Sequence, residues 1–301
     1  MASPSLLAQQ AEPYAGDKVS DRWCRQVYAQ HGAWLMQLDA APAPLHHWLA
    51  RNQSPLLGRY FESLLAFWVR QLPDCELLAQ NLIVERLGRH SGEFDLLWRD
   101  PAGQMIHWEA AVKFYLRYDR HELQWLGPNP RDSLRGKLNK LFTRQLHLHR
   151  QPAARRLLQA RFGTAQIKPR AFVKGYLFYP YHGDWRAPQI APAGVSRTHL
   201  RGWWCRHAEM RERVSHSSRF DARWCVLSRL QRLSPAYRPD TVGSMTAAEL
   251  LNYLDAHFAQ HFQAVLIAEL DACEQGWCET SRGFVVNPHW PDGEARTAAQ
   301  A

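Results

Sequence analysis

The stretch from Gly92 to Tyr115, GEFDLLWRDPAGQMIHWEAAVKFY, constrains this 301-residue chain more than any other. Ile106, Trp108, Ala110, Val112 and Phe114 alternate with His107, Glu109, Ala111, Lys113 and Tyr115. Alternation with a period of two specifies a strand, because successive side chains of extended backbone point to opposite faces. The letters EAAVK also suit a helix, where Glu109 and Lys113 would form an ion pair contributing roughly 0.2–0.5 kcal/mol. A helix would spread the apolar residues around its axis, so the strand is preferred. In the preceding segment Glu93, Asp95 and Leu97 share one face, opposite Phe94, Leu96 and Trp98. Asp100-Pro101-Ala102-Gly103 joins the two as a hairpin turn, with proline presetting φ and glycine permitting a positive one.

Antiparallel pairing brings Asp95 beside the face that carries Glu109 and Lys113. Two carboxylates brought together repel unless a cation lies between them, so the pair predicts a hard-metal site. Magnesium is the natural ion, with manganese as a substitute, because it takes one or two carboxylates and leaves positions for water and phosphate.

Upstream, Ser54-Pro55 opens a helix in which Leu57, Phe61, Leu64, Leu65 and Trp68 follow helical spacing. Asn81 to Leu87 reads as a first strand. Downstream, Asp132 is an N-cap for a helix running to about Arg150, with Leu134, Leu138, Leu141, Phe142 and Leu148 as its apolar stripe. Ala171 to Tyr179 reads as another strand. Residues 181 to 221 look like an insertion of loops with a short basic helix. Arg223–Leu230 then predicts a strand, Met245–Gln260 a helix, and Phe262–Leu270 and Gly283–Val286 strands that extend the sheet. Residues 1 to about 16 and the tail beyond Pro291 are expected to be mobile.

Charge is unevenly distributed. The chain has 37 Lys and Arg against 28 Asp and Glu, a net +9. Arg131 to Lys174 holds twelve basic residues and one acid, Asp132, so this segment carries the whole excess. Such clustering is the electrostatic footprint of a phosphate-backbone binder, with Arg135, Lys137, Lys140 and Arg144 as its contacts. A solvated basic helix, or one meeting an acidic protein, is the alternative.

These segments resemble the PD-(D/E)XK nuclease superfamily, in which an acid on one strand is followed by acid–x–lysine on the next. GEFDLL looks like the first of those strands and Val112-Lys113 like the end of the second motif. The resemblance implies Asp95 as a metal ligand and Lys113 as the catalytic lysine. Ala111 stands where the pattern has its second acid. Glu109 shares that face one pleat repeat away, roughly 6–7 Å, and is the displaced candidate, with Glu93 in reserve. Glu62 matches the acid that such folds carry on their first helix and would assist the metal. Gln145 resembles a helix glutamine placed near the active site. The implied fold is α/β: a restriction-endonuclease-like core of helix, three-strand meander, helix and strand over 51–180, after a partly helical extension over 1–50. Residues 181–290 form an α/β extension and 291–301 a tail. The chain is similar, more closely, to the bacterial domain of unknown function 1853 family, through Gly58–Glu62, GEFDLL, WEAAVKFYL, the Asp132 helix and Arg282-Gly283-Phe284-Val285-Val286. That likeness implies that WEAAVK is the family's own second motif, and it supplies no substrate.

The function so implied is metal-dependent hydrolysis of phosphodiester bonds, in DNA rather than RNA. Two other readings stand beside it: an inactive nuclease fold that binds nucleic acid, and a protein-interaction scaffold. No apolar run approaches the roughly 20 residues that span a membrane, and the N-terminus lacks the regions of a signal peptide, so a cytoplasmic protein is expected. The six cysteines contain no C-x-x-C pair and are expected to be reduced and mostly buried. Trp203, Trp204 and Trp224 are assigned to packing ahead of base stacking.

Overall fold

Asp100 closes the central hairpin with its own side chain. Its Oδ1 accepts from the backbone N–H groups of Ala102 (3.1 Å) and Gln104 (2.8 Å), and Gly103 turns the chain at φ +75°. The strands on either side are Arg89–Arg99 and Met105–Asp119, so EAAVK is extended. This computed structural model describes residues 3–9, 14, 16–119, 123–187, 191–217 and 221–292.

Helices α1 (Asp21–Gln30), α2 (Gly32–Ala40), α3 (Ala43–Arg51) and α4 (Leu57–Val69) precede strands β1 (Glu76–Arg86), β2 (Arg89–Arg99), β3 (Met105–Asp119) and β4 (Leu123–Leu126). Helices α5 (Leu134–Lys140) and α6 (Pro152–Phe162) lead to β5 (Lys168–Pro180) and β6 (Leu200–Arg206). Helix α7 (Met210–Ser215), β7 (Arg223–Val226), β8 (Tyr237–Arg238), α8 (Ala247–Gln260), β9 (Val265–Cys273) and β10 (Gly276–Val286) complete the described chain. The fold is mixed α/β, with a ten-stranded sheet in the order β1-β2-β3-β5-β6-β10-β9-β7, where β4 pairs with β3 and β8 with β10. β6 lies parallel to both β5 and β10.

The chain divides into two compact units. The first comprises Met1–Lys113, Gly136–Gly175 and Ala191–His199, and the second Phe114–Arg135, Tyr176–Ile190 and Leu200–Ala301. In the first, Trp108 projects from one sheet face onto Phe172 (5.0 Å between ring centroids), Trp98 (5.0 Å), Trp23 (5.7 Å) and Trp68 (6.1 Å). Aromatic pairs of this kind contribute about 0.5–1.5 kcal/mol each beyond their burial. A second cluster contains Leu82, Val84, Phe94, Leu97, Met105, Leu148, Ala154 and Leu158. Phe94 therefore packs with Leu97, not opposite it as strict alternation requires. The ladder explains this. Residue pairs between β2 and β3 begin only at Leu96↔Trp108, and Asn81, on β1 alongside, adopts φ +54°. Regular pleating stops at Asp95.

Leu6 and Leu7 correct the expectation of a mobile start. Both are buried, Leu6 N–H donates to Val173 O (2.9 Å), and Leu7 bridges Val195. The expected mobility of residues 1–2, 10–13, 15 and 293–301 falls outside the described residues. The single helix expected from Asp132 to Arg150 is broken. Asp132 sits in a turn, with its N–H on Asn129 O (3.1 Å) and Tyr115 Oη donating to its Oδ1 (3.4 Å), and α5 starts at Leu134. A π turn, Leu141–Gln145, and a 3₁₀ turn, Leu148–Arg150, follow before Pro152 restarts the helix as α6.

In the second unit, Trp203, Trp224, Met210, Leu250, Leu254, Ile267 and Val285 form the core, and Trp204 is also buried. All three tryptophans are packing residues. Arg213 is buried with them, its guanidinium 4.5 Å above the Trp203 ring and its Nη2 2.6 Å from Glu269 Oε2. Thr246 caps α8 reciprocally with Glu249. Two expectations are corrected here. The stretch read as a loop insertion contains β6, whose run of Gly-Trp-Trp-Cys lacks alternation because both faces of the strand are buried. Cys273 and Cys278 form a disulfide, while Cys24, Cys205 and Cys225 are buried free thiols and Cys75 is a half-buried one.

Candidate functional site

Where the β2–β3 ladder stops, the carboxylate of Asp95 takes its place. Oδ2 accepts the backbone N–H of Ala110 at 2.9 Å, which fixes the side chain between the strands. Glu93, two residues earlier, and Glu62, one face of α4, point to the same place. One carboxylate oxygen from each of Glu62, Glu93 and Asp95 lies within 4.8 Å of the others. They open onto a cleft of about 1180 Å³ that Lys113, Lys140, Arg144 and Gln145 also line.

Glu109 lies beside Asp95 on the neighbouring strand, and each carboxyl group shifts the pKa of the other. Burial, then the charge of Asp95, pushes the Glu109 carboxyl well above its ordinary value. Burial also raises Asp95, but the Ala110 N–H, Lys137 and Glu109 oppose that shift. Of the pair, Glu109 is held the more strongly toward its neutral form. Its Oε1 also accepts from Gln145 Nε2, and Gln145 Oε1 accepts from Lys137 Nζ at 3.0 Å. The π turn makes this possible: Leu146 N–H bonds Leu141 O, one residue further back than in an α-helix, which rotates Gln145 toward the sheet. Lys137, 4.0 Å from Glu109 Oε1, has its pKa lowered by burial against the pull of Glu109.

Glu62 is pushed up to about 7, by burial first and the charge of Asp95 second. Arg59 opposes that shift. Its Nη1 bonds Glu62 Oε2 (3.0 Å), Glu93 Oε1 and Asn81 Oδ1, and its Nη2 bonds Glu93 Oε2 (2.9 Å). The left-handed backbone of Asn81 presents its amide to this guanidinium. His107, fully buried beside Glu109 with Nε2 3.8 Å from Oε2, is held neutral by burial, its pKa lowered to about 3.

The sequence profile described as Domain of unknown function (DUF1853) matches residues 1–286. The chain belongs to this family. No curated protein and no solved structure matches it. Arg59, the four acids, Lys113, Lys137 and Gln145 all fall inside the matched segment.

In this DUF1853 protein the structure brings together most of the residues the sequence singled out. Glu62, Glu93 and Asp95 converge as one set, and Glu109 joins them through Asp95 and not as a fourth member of the close cluster. Lys113 and Gln145 line the same cleft. Of the basic residues, Lys140 and Arg144 are exposed at the cleft, Lys137 is turned inward, and Arg135 is exposed in the first turn of α5. Sequence reasoning missed Arg59 and Asn81. The signal for Arg59 was its i,i+3 spacing from Glu62 within Gly58–Glu62. Asn81 was legible only as a residue type that tolerates positive φ.

Proposed function

We propose that this protein is a divalent-metal-dependent nuclease of the PD-(D/E)XK type, with a restriction-endonuclease-like core, acting in the cytoplasm on DNA in preference to RNA. The observation that carries this reading is the convergence of Glu62, Glu93 and Asp95 within 4.8 Å at a cleft that Lys113 also lines. The donor set is all oxygen, which fits Mg²⁺ or Mn²⁺ and not a softer metal. Glu62, Glu93 and Asp95 would hold the ion, and Glu109 would support Asp95 from behind. A bound ion of this class lowers the pKa of its water and polarises a phosphoryl oxygen. Lys113 offsets negative charge developing on the phosphate, and Lys140 and Arg144 draw the backbone into the cleft.

One observation favours a second reading. Arg59 pairs with both Glu62 and Glu93, so the chain itself balances part of their charge, as in a protein that binds nucleic acid without cutting it. A single assay separates the two: incubation of single- and double-stranded DNA and RNA with Mg²⁺ or Mn²⁺, for the parent, Asp95→Asn and Lys113→Ala. Cleavage by the parent, lost in both variants, supports the nuclease. Salt-dependent binding without cleavage, unchanged in Asp95→Asn, supports the second reading. Cleavage that survives either substitution removes this site from consideration.

A further inference from the structure

The β1–β2 hairpin ends in a turn whose first residue is unsuited to its backbone. Arg86 and Arg89 pair across it, and the two residues between them, Leu87 and Gly88, have φ +53° and +71°. This is the two-residue turn that matches strand twist, and asparagine, aspartate or glycine normally supplies its first position. A leucine there crowds its Cβ against the backbone. Leu87 is also 94% exposed, the highest value among the large apolar side chains described. A strained backbone and an apolar side chain in water coincide at one residue, and neither stabilises the free protein.

The surroundings say what the side chain is for. Arg86 and Arg89 flank it and are exposed. His90, the next residue, already lines the candidate cleft, and β2 continues from there to Glu93. Arg89, at the foot of the turn, lies four residues before Glu93 along β2, roughly 13 Å at strand rise, so Leu87 is within the span of a nucleic acid seated on that cleft. An acidic protein surface would satisfy the two arginines, but it would not account for their continuity with a cleft lined by Lys113, Lys140 and Arg144.

We propose that this hairpin tip is a wedge for base-paired nucleic acid: Leu87 enters between neighbouring bases while Arg86 and Arg89 hold the flanking phosphates. Apolar side chains used in this way unstack a base step and bend the duplex. The proposal rests on the reading of the cleft as a nucleic-acid site, and adds that the substrate is a duplex opened locally by the protein.

The test uses DNA duplexes carrying 2-aminopurine, with EDTA present so that nothing is cut. The parent raises 2-aminopurine fluorescence on binding. Leu87→Asn abolishes that rise and weakens binding about tenfold, the loss of roughly one buried leucine contact. The same substitution suits the turn, so the free protein melts about 2 °C higher; a binding loss in a more stable variant is not a folding defect. Leu87→Met retains the fluorescence rise, and Arg86→Gln with Arg89→Gln flattens the salt dependence of binding. The wedge is overturned if the parent binds the duplex without a fluorescence change, if Leu87→Asn behaves like the parent, or if the protein binds anionic vesicles and not duplex. Cleavage is read separately with Mg²⁺, so a protein that cuts DNA without unstacking it loses the wedge and keeps the nuclease.

Discussion

Arg59 holds Glu93 by both carboxylate oxygens, and the same guanidinium reaches Glu62 and Asn81. It therefore occupies the charge-balancing position that a divalent cation would take between Glu62 and Glu93. A divalent cation held there would compete with it. Arg59→Met keeps most of the aliphatic stem and removes the charge. Without metal the variant should lose about 1–2 kcal/mol, less than for a fully buried pair because Arg59 is partly exposed. Titration calorimetry at pH 8 should then show tighter Mn²⁺ binding than in the parent. Equal affinities would mean that Arg59 and the metal do not share these oxygens.

The acid cluster makes stability depend on pH in an unusual direction. Glu62 has a folded-state pKa of about 7, against an ordinary value near 4.3 in the unfolded chain. The folded protein thus binds this proton more tightly, and the stabilisation is present at low pH and lost as pH rises to about 7. The contribution of Glu62 amounts to about 3 kcal/mol across that window, and Glu109, also raised, adds in the same sense. Urea unfolding in EDTA between pH 4.5 and 7 should show a falling stability that Glu62→Gln flattens. An unchanged slope in the variant would place the Glu62 proton elsewhere.

The hairpin was legible because period two and a Pro-x-Gly turn are local signals, and Asp95, Glu109 and Lys113 fall on strands wherever the rest of the chain goes. The irregularities at the site were not. The positive φ of Asn81 and the side-chain bond from Asp95 to Ala110 are properties of three strands together, and no one of them announces the break. The π turn is invisible for a related reason, since inserting one residue into a helix changes no residue's preference enough to show in sequence. β6 was missed because a strand buried on both faces carries no alternation.

Gly175 sets the approach of β5 to the lysine of the site. Its φ is +144°, and a Cβ on it would lie 1.8 Å from the carbonyl oxygen of Lys113. No side-chain adjustment relieves a clash with backbone. Gly175→Ala should therefore cost about 3 kcal/mol or more, visible as a large drop in melting temperature, and should displace Lys113 in whatever folds. Near-parental stability for this variant would contradict the closeness of β3 and β5.

Cys273 ends β9, where it pairs with Gly276, and Cys278 lies two residues into β10, paired with Asp271 of β9 and Tyr237 of β8. A bridge across so short a loop removes little freedom from the unfolded chain, about 2 kcal/mol by loop-closure entropy. Its effect is local: it ties the hairpin end to which β8 is attached. Protein purified without reductant, denatured and alkylated, should carry four modified cysteines, Cys24, Cys75, Cys205 and Cys225, by mass spectrometry. Prior reduction should raise that to all six. Cys273→Ser should expose Cys278 to alkylation and speed hydrogen exchange at Tyr237 and Arg238, while the cleft residues stay protected. Six reactive thiols in the unreduced parent would show that the bridge does not form.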